Sequence, residues 1–227
     1  MSSSKKNHSF RRSKKRMSYG VPRNRNRFAQ SEAKRSFFPN EDWYEPVEGE
    51  KDGYRIIEKD PGIGLVHVVT SAEVANRLAL LPPEMLADLD VVQLGRITKK
   101  KKSFPCYGMQ WGTALYLYPL NEAFIETYGA PPSPRLLVET KMYGGKWTHD
   151  AVDETWTLAW TEKTARDFYL NNILIHELGH LLDDRNTGYE DRERFAEWFA
   201  VEYGYKQSRS DEYFFKRKLK ARKRHHA

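Results

Sequence analysis

Apolar residues in this chain recur with two periods, and the period assigns most elements before any chemistry is considered. Residues 65–69, Leu-Val-His-Val-Val, are β-branched and predict a strand in which His67 is a core histidine. Thr70-Ser71-Ala72-Glu73 then supplies a capping box, which opens a helix to about Leu81, where Pro82-Pro83 stops it. A second short helix follows to Leu89. Strands are predicted over 91–97, 114–120 and 136–143, the first two joined by a lysine-rich stretch and residues 108–112. Residues 121–128, closed by Gly129 and Pro131-Pro132, predict a short helix. Over 155–161, Trp156, Leu158 and Trp160 fall on one face and threonines with Ala159 on the other, as in a strand with one buried face. Residues 40–61 are acidic and turn-rich and predict an irregular lead-in.

From Thr164 the period changes to that of a helix, with Phe168, Ile173, Ile175, Leu178, Leu181 and Leu182 apolar. After a loop at 186–188, residues 191–203 form a second amphipathic helix. No fixed repeat appears, which excludes solenoids and propellers. The pattern is that of an α+β domain: a small mixed sheet followed by two consecutive helices.

At 227 residues, with 39% hydrophobic and 13% aromatic content, the chain suits one domain with tails rather than two domains. Its one cysteine, Cys106, excludes an internal disulfide framework and a cysteine-based zinc ribbon. No apolar run approaches the roughly 18 residues of a spanning helix, and the N-terminal stretch lacks the apolar core of a secretory signal. A soluble, cytoplasmic protein with no membrane contact is expected. The net charge of +7 conceals a segregation: residues 1–36 carry 12 lysines and arginines against one acid, and residues 206–227 carry 9 against two. The centre, 37–205, is acidic, with 28 acids against 17 bases. The expected organisation is therefore a basic disordered tail over 1–36, a domain over 37–205 and a basic C-terminal tail over 206–227. Such arms meet nucleic acid or an acidic partner, or else solubilise the chain and fold back on its acidic body; Lys99 to Lys102 add a basic loop.

The candidate chemistry lies in the first of the two helices, at His176-Glu177-Leu178-Gly179-His180. Histidines at i and i+4 share one helical face and can share one Zn2+ ion. Glu177, adjacent to the first ligand, is set to act as general base on a water rather than to bind the same metal. With 7 histidines and 19 glutamates in the chain, random placement yields this string in only about 2% of sequences. The flanking Ile173-Leu174-Ile175 and Leu181-Leu182 bury the helix, and burying two histidines and a glutamate without a partner is costly. A catalytic zinc needs a third protein ligand and an open position. Downstream histidines occur only at 225 and 226, in the basic tail, so a carboxylate is the natural ligand, and the second helix offers Glu193, Glu197 and Glu202. Glu193 shares a face with Ala196 and Ala200, whose small side chains let helices approach closely, and is the expected third ligand. Glu197, one turn on, is the alternative ligand or a residue that orients a histidine.

These residues, with Glu193-Arg194-Phe195-Ala196-Glu197-Trp198-Phe199-Ala200, resemble the HExxH zinc metallopeptidases of the gluzincin type, and are similar to ImmA/IrrE-type and minimal gluzincin metalloproteases. The resemblance, over about residues 155–203, implies a zincin-like fold with zinc held by His176, His180 and Glu193. It further implies Glu177 as the group that activates water, and a strand before the active-site helix, here 155–161, that aligns the substrate backbone. The expected function is a zinc-dependent metalloendopeptidase acting on a protein or peptide. The competing expectation is a nucleic-acid-associated binding protein whose metal site is structural or inactive. Tyr189 and Tyr203 are the tyrosines near the motif, Asp183 and Asp184 cap its helix or orient a histidine, and His149 lies in a turn that approaches the cleft.

Overall fold

The computed structural model describes Tyr44 and residues 53–97 and 106–210. The basic stretch over 1–36, most of the C-terminal one and the lysine cluster at 99–102, with the partners expected of them, lie outside the described residues.

The fold is mixed α+β, with three small sheets and a helical layer among the described residues. Strands β1 (Arg55–Glu58), β3 (Val91–Leu94), β5 (Ala114–Leu117) and β4 (Gly108–Trp111) form a four-stranded sheet in the order β1-β3-β5-β4. The β1–β3 and β3–β5 pairs are parallel and β4 runs antiparallel to β5 as the outermost strand among the described residues. β2 (Leu65–Val66) pairs with β6 (Leu120–Asn121), and β9 (Thr155–Ala159) lies between β7 (Ile125–Tyr128) and β8 (Lys146–Asp150) in an antiparallel sheet. Every residue of β3 and β5 is buried, as expected of parallel strands covered on both faces. Val92, Leu94, Leu115 and Leu117 face the helices, while Val91, Ala114 and Tyr116 pack on the opposite side with Tyr44, whose backbone N–H donates to the Tyr116 hydroxyl at 2.8 Å.

Helix α1 (Ser71–Leu78) begins with the predicted capping box: Thr70 Oγ1 accepts from the Glu73 N–H at 3.2 Å, and Glu73 Oε2 accepts from the Thr70 N–H at 2.9 Å. Its Val74 and Leu78 are fully buried. Helix α3 (Glu162–Phe168) passes through a π-helical turn, Tyr169–Ile173, into α4 (Leu174–Leu182). The apolar face read from the sequence is the core: Phe168, Leu174, Ile175 and Leu178 are at most 1% exposed. Helix α5 (Tyr189–Phe199) likewise runs into a π-helical turn, Ala200–Tyr205, and helix continues through Ser210, past the boundary expected at 205.

Five elements differ in kind from the sequence expectation, one of them the turn expected around His149, which is strand β8 paired with β9. Residues 55–58 are a strand rather than an irregular lead-in, because Val91–Leu94 offers them a ladder. Residues 108–111 pair with β5 instead of forming a connection. Residues 121–128 are no helix: Asn121 Oδ1 accepts from the Ala123 N–H at 2.8 Å, Phe124 takes a φ of +56°, and β7 then pairs with β9. Residues 136–143 are no strand, because Ser133 caps and Pro134 begins helix α2 (Pro134–Met142), with Ser133 Oγ accepting from the Leu136 N–H at 3.2 Å. Among the described residues no helix is long and apolar enough to cross a membrane.

Candidate metal centre

Helices α4 and α5 form a hairpin whose close approach sets the site. A Cβ added at Gly179 would lie 3.0 Å from Ala196 Cα and 3.1 Å from Phe199 Cβ, so the absence of a side chain sets the helix spacing. Ala196 and Ala200, expected to allow this approach, are at most 1% exposed. Asp183 ends α4 as a cap: its Oδ1 accepts from the Asn186 N–H at 3.1 Å, so it serves the turn and not a histidine.

The hairpin brings together three of the four residues singled out as ligands or alternatives. His176 Nε2 lies 3.8 Å from Glu193 Oε2, and His180 Nε2 lies 3.4 Å from Glu193 Oε1. The imidazole rings are 4.8 Å apart and nearly perpendicular, and one donor atom from each residue falls within 4.8 Å of the other two. Tetrahedral bonds of about 2.1 Å place donor atoms about 3.4 Å apart, so two imidazoles and a carboxylate, with histidine–carboxylate separations of 3.4 and 3.8 Å, form a group that could hold a zinc ion. Glu197 stands apart, its Oε1 2.5 Å from Arg135 Nε. The expectation that it orients a histidine is replaced by contact with an arginine.

Arg135, on α2, is the residue that sequence reading missed most completely, since a strand over 136–143 would have aimed it elsewhere. Its Nη2 donates to Glu193 Oε2 at 2.8 Å, fixing the carboxylate that faces the histidines. The Ser133-Pro134 pair was the available signal for the helix that carries it.

Glu177 is 8% exposed and lines the same cleft of about 600 Å³ as His176, His180 and Glu193. The opposite wall is strand β4. A Cβ at Gly108 would lie 2.6 Å from Ile173 Cγ2 and 2.9 Å from Glu177 Oε1, so only glycine lets β4 run this close to the α4 carboxylate. β9, expected to align a substrate, has both edges hydrogen-bonded within its own sheet and is corrected from that role. His149 is exposed and stacks on Trp156 at 4.6 Å, outside the cleft; His67 Nε2 bonds the Lys59 carbonyl oxygen at 2.6 Å. Tyr189 lines the cleft, whereas Tyr203 packs on Phe199 at 4.6 Å.

Burial, with His180 alongside, pushes His176 down to about 4, so its imidazole is neutral at pH 7 and has a lone pair to offer. Hydrogen bonds from His180 and Arg135 hold Glu193 down to about 2, against the effect of its burial. Both groups resist protons in the folded chain that they accept in the unfolded one, near the ordinary values of 6.5 and 4.5. Between pH 6.5 and 4 the unfolded state therefore binds more protons, and stability falls as pH falls; Glu193 extends the loss from about 4.5 to 2. Thermal unfolding of chelator-treated protein is expected to drop by several degrees from pH 7 to pH 4, less steeply in His176→Gln. A midpoint independent of pH across that window would refute this assignment of charge states.

Comparisons of the chain with protein-family models, with curated proteins and with solved structures find no match.

Proposed function

We propose that this chain is a zinc-dependent metallopeptidase of the gluzincin type, with His176, His180 and Glu193 as metal ligands and Glu177 as general base. The observation that carries the reading is the convergence of a two-imidazole, one-carboxylate donor set with a buried glutamate in one cleft walled by strand β4. Zinc held there supplies a Lewis acid that polarises a peptide carbonyl and acidifies water. The protein's own groups do the rest. Glu177 accepts the proton of the attacking water and returns it to the leaving amine nitrogen as the C–N bond breaks. Arg135 keeps Glu193 in place from behind, leaving Oε1 toward His180. β4, the outermost strand of its sheet among the described residues, lines the cleft through Gly108 and Gln110 and is suited to receive the substrate backbone as an added strand.

Metal content tests the ligand set directly. Purified protein supplied with zinc is expected to carry close to one ion per chain by mass spectrometry. Single substitutions His176→Ala, His180→Ala and Glu193→Ala should each lower zinc affinity by at least about tenfold, while Glu197→Ala retains the ion. Folded wild-type protein that takes up no zinc would sink the proposal, and loss of zinc in Glu197→Ala with retention in Glu193→Ala would reverse the assignment of the carboxylate.

A further inference from the structure

Behind the metal-facing cleft, between α2 and the helix that follows α4, a second cavity of about 470 Å³ shares Arg135, Glu139 and Asn172 with it. Val138, Met142 and Val201 contribute apolar wall. Its charged rim is unbalanced. The single guanidinium of Arg135 contacts three carboxylates: Glu193 at 2.8 Å, Glu197 at 2.5 Å and Glu139 at 3.6 Å. On the reading above, Glu193 serves the metal, which leaves Glu139 and Glu197 to share one cation.

Asn172 is an independent observation at the same place. It sits one helical turn before His176, is 6% exposed and lines both cavities, and its carboxamide has no hydrogen-bond partner among the described residues. Its amide atoms are not among the described polar atoms that are sealed from solvent without a partner, so they open onto the cavities and are available to hydrogen-bond an occupant.

We infer that the second cavity is a subsite for a lysine or arginine side chain of the peptide substrate, next to the scissile bond. The inference rests on the peptidase reading for the word substrate, and on this cavity alone for the side chain. The methylene stem lies on Val138, Met142 and Val201; the cationic head meets Glu139 and Glu197, the excess acids of the rim; and Asn172 Oδ1 accepts one of its N–H groups. An apolar side chain would leave the Asn172 amide without a partner, and an acidic one would meet the rim carboxylates.

The test is equilibrium binding, which needs no turnover. Fluorescent alanine-based peptides carrying arginine, lysine, norleucine or glutamate at one position are titrated with full-length, zinc-supplied Glu177→Gln protein and followed by anisotropy. Arginine and lysine peptides are expected to bind about tenfold more tightly than norleucine, with glutamate weakest. The paired substitution Glu139→Gln with Glu197→Gln should bring arginine and norleucine within about twofold, and Asn172→Ala should weaken only the cationic peptides. Glu84→Gln, outside both cavities, controls for general attraction to the acidic body. Val138 is 59% exposed, and Val138→Arg, which places a cation in the cavity from its own wall, should abolish the preference even if the paired variant fails to fold. Equal affinity for arginine and norleucine, or a preference that survives both the paired substitution and Val138→Arg, overturns the subsite. Selective binding without hydrolysis by wild type would leave the subsite standing and sink the peptidase; hydrolysis indifferent to basic residues would do the reverse.

Discussion

Glu177→Gln is expected to lower peptide hydrolysis by about 10²–10⁴-fold while leaving zinc content and thermal midpoint close to wild type. The amide has the size of the carboxylate, so packing against β4 at Gly108 is preserved, but it cannot take a proton from water at neutral pH. None of the three proposed ligands is altered, which separates this variant from His176→Ala or Glu193→Ala, where activity and metal are expected to fall together. The measurement is a proteome-wide comparison of cleavage products, because a peptidase with one preferred sequence can be silent on a generic substrate. Hydrolysis that persists undiminished in Glu177→Gln would assign the base to another group and remove the central role proposed for this residue.

Gly204→Ala is expected to produce the largest loss of stability, independent of any chemistry. Gly204 lies in the π-helical turn that follows α5, against the π-helical turn between α3 and α4. A Cβ there would sit 1.9 Å from the Asn171 carbonyl oxygen and 2.9 Å from its carbon. The obstruction is backbone, so no side chain can rotate away, and relief requires the two helical segments to separate. Overpacking of this kind costs about 3 kcal/mol or more, a fall in the thermal midpoint of about 6–12 °C for a domain this size. Gly129→Ala is the control, since a Cβ at that position meets nothing within 4 Å. Equal midpoints for the two variants would show that the helical segments are not in this contact. Because Asn171 precedes Asn172 and lies one turn before Ile175 and His176, zinc affinity is expected to weaken in Gly204→Ala as well.

How much of this was legible in advance follows the range of the interactions. The capping box at Thr70 and Glu73, the buried face of α4 and the alanines of α5 are local patterns, and each is found where the sequence places it. Glu193 rather than Glu197 was expected beside the two histidines from the face it shares with Ala196 and Ala200, and the hairpin places Glu193 near both imidazoles and Glu197 against Arg135. The errors lie where a short segment takes its conformation from a distant partner. Residues 125–128 become strand because β9 is beside them, and 55–58 because β3 is. Even there a local cue existed in Ser133-Pro134, whose cap outweighs the β-like composition of Leu136, Leu137 and Val138.

The sequence by itself determined the donor types, the helix that carries His176, Glu177 and His180, and the acidic body between basic ends, because helical period and residue chemistry are properties of neighbours along the chain. Only the tertiary structure decided that β4 and not β9 walls the cleft, that Arg135 holds Glu193 and Glu197, and that Asn172 lies buried between two cavities. Those facts depend on the order of strands within each sheet and on contacts between residues about 60 positions apart along the chain, and loop closure over such distances leaves no periodic trace in the sequence.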